Sequence, residues 1–580
     1  MSGHNILLFL PFFADNLERM KRIFGIVTLV LMFNLTSFTQ ASDQLLTSDG
    51  NGFNAWHMLD NSVDGIPGVG ADRAYKELLA GKKSTPVVVA IIDSGTESFH
   101  PDLKANIWTN KGEIADNGID EDENGYVDDI HGWSFIGGIG GDVSIDNLEF
   151  TRVYRELKNR FGAVVDAKNV KTEDKKDYER YLHLKKEYDR RIKEADENLM
   201  NYVMIEMFYS NAKQSIATML GKEDYTLEEV MAIEAKDEFT TAAQGLVALG
   251  MQEDLMAEIS QGKEHFEALA KFQLNLDFDP RYMVGDNYNN VDERYYGNNH
   301  IDGPESEHGT HVGGIVGAVR NEFGMNGVAD NVQLMIIRAV PNGDERDKDI
   351  ANAIRYAVDN GARIINMSFG KSYSPQKAAV DAAVKYAESK GVLIIHAAGN
   401  DAKNIDKEYN FPTDKYIDGG YCSTWMEIGA SNMSVDNLVA DFSNYGKKSV
   451  DVFAPGVDIY STVNDDKYKD NSGTSMAAPV TSGVAATLMS YFPNLTASDV
   501  KEILMKSAIR YPKAVTTTYV ERNKMGKFFM KIFIGKKKNE ENSPPPREFK
   551  SKDIKFKDFS VTGGVVNLYE AVKMAEGWKK

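Results

Sequence analysis

The 580-residue sequence contains a single cysteine, Cys422. A lone cysteine cannot form an internal disulfide bond, which excludes a cystine-rich scaffold and a Cys-x-x-Cys metal site. Basic residues are also in deficit, because 66 Lys and Arg stand against 86 Asp and Glu and give a net charge of −20. A nucleic-acid backbone would repel so acidic a protein, so we expect no nucleic-acid partner.

Beyond residue 41 the sequence also lacks an apolar run long enough to cross a bilayer. The apolar run at 23–35 is shorter, follows Lys21 and Arg22, and leads to small residues that end at Ala41. This order predicts a secretory signal peptide over 1–41, with Met20 as a possible true start; a buried amphipathic helix is the alternative. We therefore expect an exported protein, periplasmic or extracellular, with no stable membrane span after signal removal. Its oligomeric state stays open.

Short β-branched runs alternate with helical patterns along much of the remaining chain. The apolar runs lie at 87–92, 333–338, 362–367, 392–397 and 450–453, and helical patterns such as 349–360 and 375–390 lie between them. This alternation predicts an α/β fold with a mostly parallel sheet. Ligands bind such sheets at the carboxyl ends of the strands, so the polar residues that end these runs are functional candidates.

Two stretches interrupt the alternation. Residues 147–277 are rich in Lys, Glu, Leu, Met and Tyr, and segments 177–194 and 226–235 have the pattern of charged amphipathic helices, which predicts an all-helical insertion. Residues 512–554 carry three consecutive lysines and three consecutive prolines, typical of an exposed excursion. The predicted organisation is signal peptide 1–41, first part of the core 42–146, helical insertion 147–277, second part of the core 278–511, basic and proline-rich excursion 512–554, and return to the core 555–580.

Four polar residues at strand ends or helix starts could act together in catalysis. Asp93 ends the first apolar run, and Asn400 ends Ala-Ala-Gly-Asn at 397–400. His308 opens His-Gly-Thr-His-Val-Gly-Gly, and Ser475 lies in Gly-Thr-Ser-Met-Ala-Ala-Pro at 473–479. A serine nucleophile needs a neighbouring base, the base needs a group that orients it, and an amide can stabilise the developing oxyanion. Each residue alone is commonly a turn or cap residue, so the combination carries the prediction.

These motifs, together with Ile-Asp-Ser-Gly at 92–95, resemble the signature blocks of the subtilisin-like serine proteases, the subtilases. The resemblance implies a subtilisin-like three-layer α/β sandwich with a mostly parallel sheet, here interrupted by the all-helical insertion. It also implies a serine endopeptidase that acts on a protein or peptide substrate through an acyl-enzyme. Ser475 would be the nucleophile and His308 the general base; Asp93 would orient His308, and Asn400 would hold the oxyanion.

The resemblance extends to a substrate-pairing strand, Asn-Met-Ser-Phe-Gly at 366–370. The implied substrate-binding residues are Ser368, Phe369, Gly370, Ala398 and Gly399. Two alternatives stay open at this point. The chain could be a catalytically silent relative that binds peptides or partners in the same groove, or an enzyme kept latent by its helical insertion.

Calcium is the expected cofactor, in a structural role and at two places. The loop 319–325 resembles the structural calcium loop of the family, with side-chain oxygens from Asp102 and Asn321 and carbonyl oxygens from Val319, Phe323 and Met325. Residues 120–129 match the first half of an EF-hand loop, with candidate ligands Asp120, Asp122, Asn124, Tyr126 and Asp129. His131 stands where an EF-hand has its closing glutamate, and an acidic surface turn is the alternative.

Overall fold

The computed structural model describes residues 55–164, 167–252, 255–303, 305–511, 514–517 and 552–579. The predicted signal peptide and most of the predicted excursion at 512–554 lie outside the described residues. Within the described ranges, no helix has both the length and the apolar composition that a membrane crossing requires.

A nine-stranded sheet forms the centre of the larger compact unit of the described chain. Its strands are β1 (Val87–Asp93), β2 (Gly132–Ser134), β3 (Val332–Arg338), β4 (Ile364–Met367), β5 (Leu393–Ala397), β6 (Trp425–Ser431), β7 (Val452–Pro455), β8 (Ile509–Arg510) and β9 (Gly564–Val565). The spatial order is β8-β9-β7-β6-β5-β4-β1-β3-β2. Neighbouring strands are parallel except β8 and β9, which pair antiparallel.

Both faces of the sheet are covered by helices, which is why the central strands are almost wholly apolar. Along β1, Val89 and Ile91 belong to one hydrophobic core, and Ala90 and Ile92 belong to the other. Strand side chains alternate between the two faces of the sheet, so the two cores lie on opposite faces. Each core separates the sheet from one helical layer, which makes a three-layer sandwich. The fold class predicted from the sequence is confirmed.

The helices of the larger unit follow the strands in α/β fashion. They are α1 (Glu149–Phe161), α5 (Glu307–Gly317), α6 (Asp347–Asp359), α7 (Lys377–Ser389), α8 (Thr474–Tyr491), α9 (Ala497–Ser507) and α10 (Leu568–Glu576), with the short helices Asn61–Asp64 and Ala71–Ala74 near the start. Residues of α5, α8, α9 and α10 pack in the core that contains Val89, and residues of α6 and α7 pack in the core that contains Ala90. A two-stranded hairpin, Ile459–Val463 with Lys467–Asn471, precedes α8.

A second compact unit contains the described residues 167–275. It consists of α2 (Lys175–Leu220), α3 (Glu238–Gln252) and α4 (Leu255–Ala268), with a short helix at Leu227–Met231. Small apolar cores hold it together; one groups Ile216 with Val230 and Val247, and another groups Tyr209 with Leu255. Helix α1, although inside the predicted 147–277 insertion, belongs to the larger unit.

Candidate active site

Asp93 and His308 form a hydrogen-bonded pair at the carboxyl end of the sheet. Asp93 is the last residue of β1 and is 2% exposed, and its Oδ1 lies 2.7 Å from Nδ1 of His308. Its orientation is fixed by the Ser94 N–H, which donates to the same oxygen at 2.8 Å. The His308 side chain is 40% exposed, so one edge of the imidazole is buried against Asp93 and the rest is accessible.

The charge of Asp93 controls the titration of His308. Burial on its own would lower the His308 pKa, but the Asp93 carboxylate and its hydrogen bond outweigh burial and raise the pKa above its ordinary value. The geometry therefore suits a base whose protonated form is stabilised by a fixed carboxylate.

Glycine allows α5 to bring His308 against β1. A Cβ atom on Gly309 would lie only 2.0 Å from the carbonyl oxygen of Gly95, in the turn after Asp93. The next residue, Thr310, accepts a hydrogen bond from the N–H of Glu97 at 2.9 Å through its Oγ1. The His-Gly-Thr segment is thus the contact between the helix and the turn that follows β1.

Ser475 is the second residue of α8, and its environment is set by the end of β4. Its Oγ donates to the carbonyl oxygen of Ser368 at 3.0 Å, and the Ser368 Oγ donates back to the Ser475 carbonyl at 2.9 Å. Within the described residues the Ser475 backbone N–H has no hydrogen-bond partner. The start of α8 therefore offers an unpaired N–H beside the serine hydroxyl.

Asn400 follows β5 and is held by the first residue of α8. Its Oδ1 accepts from the backbone N–H of Thr474 at 2.8 Å and from the Thr474 Oγ1 at 3.0 Å. These two bonds occupy the carbonyl side of the amide, so Nδ2 is the amide group left to donate to a ligand.

The four predicted catalytic residues line one cavity of about 420 Å³. Ser368, Phe369, Gly370 and Gly399 line the same cavity. Ala398 does not belong to the described lining. It is fully buried. Its N–H donates to Ile428 O at 3.0 Å, and its carbonyl accepts from Asn444 Nδ2 at 2.7 Å, so these bonds fix the backbone that precedes Gly399.

The model of the Subtilase family matches residues 84–543. The chain belongs to the subtilase family.

A thermophilic serine proteinase from Bacillus sp. (strain AK1) is 41% identical over 187 residues, which cover 32% of this subtilase and 43% of the relative. Subtilisin DY from Bacillus licheniformis is 35% identical over 202 residues, 35% of this chain and 70% of the relative. A cell wall-associated protease from Bacillus subtilis (strain 168) is 34% identical over 261 residues, 44% of this chain and 26% of the relative. The chain spans less than half the length of two of these three relatives.

The segment after β4 presents unpaired backbone to the cavity of this subtilase. Among the described residues, the N–H and C=O groups of Phe369 and Gly370 make no hydrogen bonds. A Cβ on Gly370 would lie 2.5 Å from the Asn410 side chain, so the lack of a side chain allows this close approach. An extended peptide can pair with such a free edge.

Several lining residues were not predicted from the sequence. They are Ser94, Glu305, Val340, Pro341, Asn342, Gly343, Glu345, Asp401, Asn410 and Thr474. The segment from Val340 to Glu345 follows the carboxyl end of β3, so the strand-end rule applied to that strand would have found it. Asn410 lies in a loop that no sequence pattern marks; its Nδ2 donates to the Ala397 carbonyl at 3.1 Å.

The first predicted calcium loop is assembled around Asp102. Val319 donates its N–H to the Asp102 carbonyl at 2.7 Å, and the Asn321 Nδ2 lies 3.4 Å from Asp102 Oδ1. Asp102 Oδ2 accepts from the Met325 N–H at 2.8 Å and from the Tyr468 hydroxyl at 2.9 Å. The carbonyl oxygens of Val319, Phe323 and Met325 accept no hydrogen bond from the described chain. The loop therefore carries oxygen atoms of the kind that calcium binds, but the Asn321 Oδ1 accepts from the Phe323 N–H at 2.6 Å and its Nδ2 is the atom that faces Asp102.

At the second predicted calcium site, the carboxylates that lie together differ from the set predicted by the EF-hand pattern. Ligand oxygens of Glu113, Asp120 and Asp122 lie within 4.8 Å of one another. Asn124 bridges Asp122 and Asp129 through its Nδ2, at 3.2 Å from each carboxylate, and Tyr126 is buried. Asp129 is buried and accepts from the Tyr356 hydroxyl at 2.6 Å. Glu113, which precedes the loop, is a carboxylate that the EF-hand pattern could not indicate.

Proposed function

We propose that this subtilase is an exported serine endopeptidase that hydrolyses peptide bonds through Ser475. The observation that carries the proposal is the 2.7 Å hydrogen bond between His308 Nδ1 and Asp93 Oδ1, in a cavity that Ser475 and Asn400 also line. The curated relatives described above include a serine proteinase and a subtilisin, which agrees with this activity.

Catalysis follows from the roles that these side chains can take. Asp93 accepts the Nδ1–H of His308, so the lone pair of the neutral imidazole lies on Nε2. Rotation of the Ser475 hydroxyl away from the Ser368 carbonyl would direct its proton to Nε2 as Oγ attacks the scissile carbonyl. The imidazolium then protonates the leaving amine, and water releases the acyl group by the same steps in reverse order.

The oxyanion would be held by two N–H donors. One is Asn400 Nδ2, whose amide is fixed through the hydrogen bonds from Thr474, and the other is the unpaired Ser475 N–H at the start of α8. The substrate backbone would pair with Phe369 and Gly370. Such pairing recognises the backbone, so side-chain selectivity must come from the cavity walls.

Covalent labelling tests the proposal directly. A peptidyl phosphonate should form one adduct per chain under native conditions, and peptide mapping should locate it on Ser475. Absence of an adduct on natively folded protein would favour a catalytically silent relative that uses the cavity only for binding. Labelling that begins only after cleavage within 147–277 would support latency imposed by the insertion.

Activity should fall at acid pH, and the pKa of His308 should determine the position of this acid limb of the pH profile. The neutral imidazole is the active form, and Asp93 raises the His308 pKa, so kcat/KM should decline as pH falls through a value above that of an ordinary histidine, about 6.5. The measurement is kcat/KM on a neutral peptide across pH. An acid limb at or below the ordinary histidine value would contradict the proposed pairing in the free enzyme.

We also propose that calcium binds at both oxygen-rich sites as a structural cofactor. At the first site Asp102, Asn321 and the three free carbonyl oxygens of the 319–325 loop would hold it, and at the second Glu113 would join Asp120 and Asp122. A cation there would offset the repulsion between neighbouring carboxylates and tie separate segments together.

Chelation should therefore lower the melting temperature. Free calcium at a hundredfold excess over Kd contributes about 2.7 kcal/mol per site, so excess chelator should lower Tm by several degrees. The measurement is a melting curve with and without chelator, with calcium and magnesium added back in parallel. D102N and D122N should each reduce the chelator effect in part. An unchanged curve in excess chelator would contradict both sites.

Export is the remaining part of the proposal. It is supported by the basic, apolar and small-residue order over 21–41 and by the similarity to a cell wall-associated protease. Amino-terminal sequencing of protein recovered from outside the cytoplasm should find a start near residue 42. Recovery only from the cytoplasm, with residues 21–41 intact, would contradict export.

A further inference from the structure

Glu345 is a buried carboxyl group in the wall of the active-site cavity. It lies between β3 and α6, is 2% exposed, and lines the same cavity as Ser475. Its Oε1 is buried and has no hydrogen-bond partner in the described chain. Buried polar atoms are nearly always paired, so this carboxyl oxygen, in a residue that borders the cavity, lacks the donor that its burial calls for.

The neighbouring cationic side chains are paired with other groups. Lys371 Nζ lies 2.8 Å from Glu149 Oε2 and from Asp347 Oδ1, and it donates to the Glu345 backbone carbonyl at 2.7 Å. Arg152, on α1, pairs with Glu149 at 2.8 Å and also donates to the Glu345 carbonyl, at 3.1 Å. These bonds fix the Glu345 backbone, and within the described chain the Glu345 carboxyl group has no ion pair.

The rest of the cavity is also acidic. Its described lining contains the acidic residues Asp93, Glu305, Glu345 and Asp401, and neither lysine nor arginine. Asp93 is engaged by His308, and the Asp401 side chain is 59% exposed and lies 3.4 Å from Lys403 Nζ. Asp93 Oδ2 is also buried without a partner, but Asp93 is paired with His308, whereas the Glu345 carboxyl group has no ion pair within the described chain.

The surroundings of Glu345 favour the protonated form of its carboxyl group. Burial raises its pKa, Asp344 and Asp347 raise it further, and Lys371 lowers it only in part. The other charged groups of this cluster, Arg152 and Glu149 of α1, are paired with each other. A bound ammonium or guanidinium group would stabilise the ionised carboxyl and supply the absent donor.

We propose that Glu345 forms a specificity subsite that binds a lysine or arginine side chain of the peptide substrate. The inference rests on the proposed protease function and deepens it, because backbone pairing at Phe369 and Gly370 leaves side-chain selection to the cavity walls. The chemistry of the ligand is a cationic side chain carried by an extended peptide.

Matched peptides test the subsite. Fluorogenic peptides with lysine or its uncharged isostere norleucine, placed in turn at each of the four positions before the scissile bond, should show a preference for lysine at one position. A charge-assisted hydrogen bond predicts a kcat/KM ratio of at least about tenfold there. E345Q should bring that ratio close to one. A ratio that is unchanged in E345Q, or that D401N abolishes instead, would overturn the proposal.

The pH and salt dependence distinguish a buried carboxyl group from an exposed one. Lysine stays charged up to about pH 10, so the lysine-to-norleucine ratio should grow as rising pH removes the proton from Glu345, and it should be flat in E345Q. Added salt should change the ratio little, because buried pairs are screened less than exposed ones. A ratio that is constant with pH in the unaltered protein, or that salt abolishes, would count against Glu345.

Binding separates failure of this inference from failure of the protease proposal. The S475A variant should bind the lysine peptide more tightly than the norleucine peptide by fluorescence anisotropy, and E345Q in that background should remove the difference. If no peptide is cleaved by the unaltered protein, the protease function fails while the binding comparison still tests Glu345. Equal affinities for both peptides would overturn the subsite.

Discussion

Replacing Ser475 with alanine is expected to lower kcat for peptide hydrolysis by about 10⁶, the size of effect known for the nucleophile of subtilisin. The alanine side chain cannot form the acyl-enzyme, and the rate that remains comes from the oxyanion donors and from substrate binding. The fold should persist, because the Ser475 hydroxyl makes a single hydrogen bond among the described residues, to the Ser368 carbonyl. The measurement is kcat on a fluorogenic peptide, with a melting curve for each variant.

Ser472 provides a matched control three residues earlier. Its Oγ accepts from the Asp458 N–H at 2.8 Å and donates to Asp458 Oδ1 at 3.1 Å, outside the cavity lining. S472A should therefore label with a phosphonate and cleave peptides much as the unaltered protein does, while S475A should do neither. Substantial cleavage by S475A, in a preparation free of other proteases, would refute the assignment of the nucleophile.

The central strands could be predicted from the sequence because both of their faces are buried. An apolar run at 87–92 corresponds to β1 (Val87–Asp93), and one at 392–397 corresponds to β5 (Leu393–Ala397). Continuous β-branched runs are the expected signature of strands between two helical layers. The polar residues that end these runs lie at the carboxyl edge of the sheet, which is how Asp93 and Asn400 could be found.

Strand β6 shows where this signal fails. Trp425–Ser431 is buried throughout, yet it contains Glu427 and Gly429 and so lacks a continuous apolar run. Glu427 is tolerated because its neighbour in register on β5 is His396, whose Nδ1 lies 3.0 Å from both carboxylate oxygens. A polar residue paired across two strands is compatible with a core, but its partner is not identifiable before the register is known.

The walls of the cavity were less predictable than its catalytic residues. Sequence motifs mark Ser475 and His308. The strand-end rule indicates the position of Glu345 but not its burial, and Asn410 is placed by tertiary contacts alone. Glu345 follows β3, but its burial depends on α1 and on Lys371, which lie far away in the sequence. The long helix α2 (Lys175–Leu220) likewise contains the predicted helical segment 177–194 and continues well beyond it, because its later contacts with α3 and α4 lie outside any local pattern.

Replacing Asp93 with asparagine should lower kcat by about 10⁴. The asparagine amide is nearly isosteric, but its NH₂ group would donate to His308 Nδ1, where Asp93 Oδ1 now accepts at 2.7 Å. The imidazole would then carry its proton on Nε2 and could not accept the Ser475 proton. The loss should appear in kcat more than in KM, because Asp93 orients the base and does not bind the substrate backbone.

A second histidine–aspartate pair supplies the control. His300 Nδ1 lies 2.9 Å from Asp142 Oδ2, and the His300 side chain is 62% exposed. H300A removes this hydrogen bond away from the cavity lining, leaves Asp142 in place for the buried Arg338, and should change kcat far less than D93N. The acid limb of the residual D93N activity should also move to lower pH, because the Asp93 charge that raises the His308 pKa is gone. An acid limb that stays in place, or a loss of less than tenfold in kcat, would mean that another group orients His308.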